Sequence, residues 1–175
     1  MRIFVIAAAV IAASFQARAA DDTAKTMPIE QVIAVTTGLT VIGGCKDGSS
    51  AVNKTCELYE LKPSVRWTIA LDIARGREMI THYNEQCDAI AQGLGGQRCG
   101  IWAELPAGSD PALFEKQRTS IATFNKQVKE LLASPSGLIM GHVKKADLNV
   151  KDEDPKANRF PADSLSMVLP IIDEQ

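Results

Sequence analysis

Three residues of this sequence stand at a spacing that could gather a metal ion or run acid–base chemistry: Glu78, His82 and Glu85. Steps of four and three put their side chains on one face of a helix, and two carboxylates flanking an imidazole resemble the sets used by metal centres in helical bundles. Bundle metals, however, are held by inward-pointing groups. On a helical wheel this face lies opposite an apolar stripe that includes Ile80, Tyr83 and Cys87, so a solvated face with ordinary i,i+3 and i,i+4 neighbours is the expectation. His142 follows Gly141 in a short apolar piece and reads as surface or core filling. No metal, catalytic residue or cofactor is assigned on this pattern.

Other chemistries lack their motifs. There is no G-x-S-x-G or S-x-x-K for a serine nucleophile, and two histidines leave few bases to serve one. Gly93-Leu94-Gly95-Gly96 satisfies neither the phosphate-loop nor the dinucleotide pattern. Asn53-Lys54-Thr55 matches a glycosylation acceptor, a short pattern that is common by chance. Trp67 and Trp102 are the only indoles in a chain that is 5% aromatic, too few for a sugar-stacking platform. Trp67 sits beside Arg66 at the start of a long helical pattern, which reads as core or rim, or as a partner-binding surface, since both residue types are enriched in interface hot spots.

The four cysteines carry structural rather than catalytic information. Cys45 and Cys56 are eleven residues apart and Cys87 and Cys99 twelve, spacings unlike the close pairs of zinc sites or the C-x-x-C of redox motifs. Arg2, the apolar run from Ile3 to Phe15 and Ala17-Arg18-Ala19 form the pattern of a secretory signal peptide, expected at 1–19 with cleavage after Ala19. Export places the thiols where they oxidise, so two disulfides are expected. Sequence allows three connectivities, and the local pairs Cys45 with Cys56 and Cys87 with Cys99 are preferred because each closes a short polar loop.

Residues 20–175 then form the expected single domain. Removing Arg2 and Arg18 from 19 basic residues, against 21 acidic ones, leaves a net charge of −4. No basic stripe marks a nucleic-acid surface, and no later stretch is apolar enough to span a membrane.

The elements that would position these residues are helical. Pro28 and Glu30 open a first helix to about Ile42, with a strand as the alternative because of its β-branched content. Ile69, Ile73, Gly76, Ile80, Tyr83, Cys87, Ile90 and Leu94 recur at steps of four and three and predict a long helix from Pro63 to Gly93, with Gly76 letting another helix approach. Asp110-Pro111 starts a third helix to about Ala133, whose seam is Phe114, Gln117, Ile121, Phe124, Val128 and Leu131. The expected fold is an all-α bundle built on an antiparallel pair of these two long helices. The first helix would cover one side, disulfide-tied loops would be irregular, and a short helix over Asp163 to Leu169 would end a wrapping tail.

Function is expected to be that of an exported, periplasmic or secreted, non-enzymatic envelope protein. It would be a binding or structural module for another envelope protein or a small ligand. The rival is a small exported enzyme or metal-binding protein using carboxylates near Glu78, His82 and Glu85.

Overall fold

The computed structural model describes residues 26–46, 57–150 and 157–173. The expected signal peptide, Asn53 and Cys56 lie outside the described residues. Four α-helices are present among them: α1 (Ile29–Ile42), α2 (Pro63–Gly93), α3 (Pro111–Ala133) and α4 (Ala162–Val168). Short 3-10 turns cover Lys145–Leu148 and Leu169–Ile171. The expected all-α class needs amending, because β1 (Val143–Lys144) and β2 (Ile172–Asp173) pair in parallel. Two residues per strand leave no alternation to read in a sequence.

Local chemistry explains the helix boundaries. Pro63 and Pro111 occupy first-turn positions where a missing N–H costs nothing, and Asp110 accepts from the Ala112 N–H at 2.9 Å. α2 ends in a Schellman motif: the Gly96 N–H donates to the Ala91 carbonyl, the Gly95 N–H to that of Gln92, and Gly95 takes φ +88°. In α1 the hydroxyls of Thr36, Thr37 and Thr40 each donate to the carbonyl four residues back, which ties the β-branched side chains into the helix.

α1 is the centre of the fold rather than a cover on one side. Val32, Val35, Leu39 and Ile42 are fully buried, and α1 packs most extensively on α4 and α2. Two glycines make this approach close. A Cβ on Gly38 would come within 2.8 Å of the Ser164 carbonyl oxygen and Val168 Cγ1 of α4, while one on Gly76 of α2 would overlap Thr36. Gly38 and Thr36 are two residues apart, roughly 200° around the helix, so α1 is covered on opposite sides. Thr36 lies against Gly76 and Gly43 against Ile69, so α1 and α2 run in opposite directions.

α2, about 45 Å long at 1.5 Å per residue, reaches through two clusters. Val65 and Ile69 join the main core with α1, Tyr59, Met140, Val143, Leu148, Phe160, Val168 and Ile171. Cys87 and Ala91 form a second cluster with Phe124, against which Trp102 packs edge-on at 5.8 Å. Ile80, placed on the apolar seam by its spacing, falls between the two and is only half-buried. Along α3 only Phe124 is fully buried, and Phe114 is exposed.

The connections are fastened at four places. Cys87 is disulfide-bonded to Cys99, whose N–H donates to Asp88 Oδ1 at 2.7 Å. Cys45 is also disulfide-bonded. The Ile29 N–H donates to the Ser134 carbonyl and the Ser136 N–H to that of Met27, stitching the end of α3 to the start of α1. Buried Asn158 accepts from the Glu60 N–H through Oδ1 and donates through Nδ2 to the carbonyls of Glu60 and Leu148.

Candidate functional site

At the start of α2 the chain leaves an open groove of about 500 Å³, lined by residues 58–62, Arg66, Ala146, Asp147 and Asn149. Its floor is rigid for identifiable reasons. Tyr59 stacks at a tilt on Phe160, with centroids 4.4 Å apart, and the Asn158 amide fixes the backbone of Glu60. Asn149, in the left-handed region at φ 53°, turns the chain after the 3-10 segment while its carbonyl accepts from the Asn158 N–H.

The charges of the groove are largely matched internally. Arg66 donates through Nη2 to the Tyr59 carbonyl, and Lys62 pairs with Asp147 across the groove. The exposed Lys62–Asp147 pair contributes on the order of 0–1 kcal/mol, so it shapes the rim more than it stabilises it. Trp67, next along the helix, is 68% exposed. An indole left this open is unusual, because its large apolar surface gains most from burial. The sequence-read pair Arg66 and Trp67 therefore divides: Arg66 belongs to the groove wall, and Trp67 is surface, with no part in the core.

Glu78, His82 and Glu85 are all exposed on α2. His82 Nδ1 lies 3.4 Å from Glu85 Oε2, an i,i+3 contact on the solvated side. Among the described residues no group of three or more His, Cys, Asp or Glu could hold a metal ion. No helix among them is long and apolar enough to cross a membrane.

One titratable residue that sequence reasoning passed over is Asp72, 1% exposed on the inner face of α2. The Gly141 N–H is shared between its two oxygens, at 3.1 Å and 2.9 Å, and Arg75 Nη1 stands 3.9 Å away. Burial pushes its carboxyl above the ordinary value of 3.8, with the Gly141 bond and the Arg75 and His142 charges pulling partly back. A signal was available: Val65, Ile69, Asp72 and Gly76 follow steps of four, three and four, so Asp72 occupies a core slot on the stripe. His142 Nδ1 lies 2.9 Å from Asp173 Oδ1, joining the segment before β1 to β2.

No family model, curated protein or solved structure matches this chain.

Proposed function

We propose that the chain is an exported, non-enzymatic envelope protein that binds another envelope protein or a small ligand at the start of α2. In this reading residues 1–19 are a signal peptide and 20–175 a single domain in the periplasm or outside the cell. The observation that carries it is exposed Trp67, the residue after Arg66 of a groove whose Tyr59 and Glu60 are held by Phe160 and Asn158. Exposed aromatics on rigid supports are the residues that dominate binding energy when a partner covers them. The Cys87–Cys99 bridge supports an oxidising location. We read α2 and α3 as an antiparallel pair that stiffens the surface: Phe124 meets Cys87 and Ala91 far along α2, while Ser134 returns to the start of α1.

The test is capture from the source envelope with the full exported chain as bait, partners being identified by mass. Trp67→Ala should abolish a specific capture, and the triple alanine variant of Glu78, His82 and Glu85 should retain it. The opposite pattern would transfer the site to the α2 acidic face.

A further inference from the structure

We propose that Asp72 is a proton-linked clasp: residues 138–144 dock on α2 around its carboxyl group, taking up a proton as they do, so that the C-terminal segment is held more tightly as the surroundings acidify.

The geometry carries the argument. An ionised carboxylate presents about four acceptor sites, yet Asp72 receives a single backbone N–H, that of Gly141, split between its two oxygens. Arg75 is beyond hydrogen-bonding range at 3.9 Å and its side chain is half in solvent. A buried charge compensated so thinly is costly, and the group that can relieve the cost is a proton. Gly141 approaches so closely that a Cβ there would lie 2.7 Å from Thr68 Cγ2 and 3.1 Å from Asp72 Oδ2, leaving little room for a hydrating water on that side.

The charged groups around the clasp are few. α2 offers Arg75, and the docking segment offers His142, whose imidazole is directed to Asp173 of β2, and Lys144, which is exposed. α1 packs on the same helix, but its one titratable residue, Glu30, is exposed in its first turn. The upward displacement of Asp72 from 3.8 agrees with this count. The folded chain therefore keeps a proton at a pH where the unfolded chain has lost it. That stabilisation is fully present below the ordinary carboxylate value and disappears as pH rises through the displaced one.

The experiment compares urea midpoints of the full chain and Asp72→Asn, disulfides intact, between about pH 4 and about pH 8. Asparagine mimics the neutral acid at every pH. The two midpoints should coincide at the acid end, and the wild type should fall below the variant at the alkaline end. A variant that is weaker by a constant amount throughout, or a wild type that gains on it with rising pH, overturns the proposal. Carbon NMR titration of the Asp72 carboxyl in the unmodified chain gives a second reading should the variant fail to fold. A midpoint above 3.8 supports the clasp, and one at or below 3.8 overturns it.

Discussion

Replacing Gly76 by Ala sets two known effects against each other. In a free helix the change gains about 1 kcal/mol, because Gly is that much poorer a helix former. In α2 the new methyl group would overlap the Thr36 hydroxyl and lie 2.9 Å from both Thr36 Cβ and Cγ2. Thr36 cannot swing aside cheaply, being buried, β-branched and tied by its hydroxyl to the Val32 carbonyl at 2.7 Å. Overpacking of this kind costs about 1–3 kcal/mol and loss of the hydroxyl bond about 1 kcal/mol, so the net expectation is a loss of about 1–3 kcal/mol. With a urea slope of about 1–3 kcal/mol per molar, the midpoint should fall by roughly 1 M. The assay is urea unfolding followed by circular dichroism with disulfides intact. Adding Thr36→Ala removes two of the three crowding atoms, so the double variant should recover part of the loss, with a coupling of about 1 kcal/mol or more. A Gly76→Ala variant as stable as the parent, or strict additivity in the cycle, would refute the close approach of α1 and α2.

Ile69→Ala should cost about 2–5 kcal/mol, because Ile69 is 2% exposed in the main core, and half-buried Ile80→Ala clearly less; equal urea midpoints would mean that the two clusters are not separate. Asn158→Asp should cost roughly 2–5 kcal/mol at neutral pH, since a carboxylate would face the Glu60 and Leu148 carbonyls that Nδ2 now serves. Part of that loss should return on acidification, when the new acid regains a proton to donate. A variant whose thermal midpoint matches the parent at pH 7 would show that the amide does not hold these segments together.

The helices were readable where a single residue decides the backbone. Pro63, Asp110-Pro111 and the glycines after Gln92 act within a turn of themselves, and α2 begins and ends, and α3 begins, where these residues place them. Gly76 was legible for a related reason, since a missing side chain on an apolar stripe admits a neighbour. Which helix that neighbour is depends on the whole tertiary arrangement. α1 read as a cover because α2 and α3 carry matching seams that could bury each other, whereas a helix covered on opposite sides shows only a loose pattern. Asp72 was hidden by its chemistry: a carboxylate on a helix reads as solvated, and only its phase with Val65, Ile69 and Gly76 marks it as inward. Neither the exposure of Trp67 nor the fit of Asn158 against Glu60 and Leu148 has any local signature.

The position of α1 also fixes an order of events. It is the first described helix, and the α4 residues that close over Gly38, Ser164 and Val168, belong to the last one. A chain made from its N-terminus carries α1 with that side bare until α4 has been synthesised. Contacts between such distant parts must also overcome loop-closure entropy before they give any stabilisation, which makes them late and slow to form. A chain that has not yet reached α4 therefore cannot complete its centre, and a stop ahead of Ala162 leaves a product with a permanently open apolar flank.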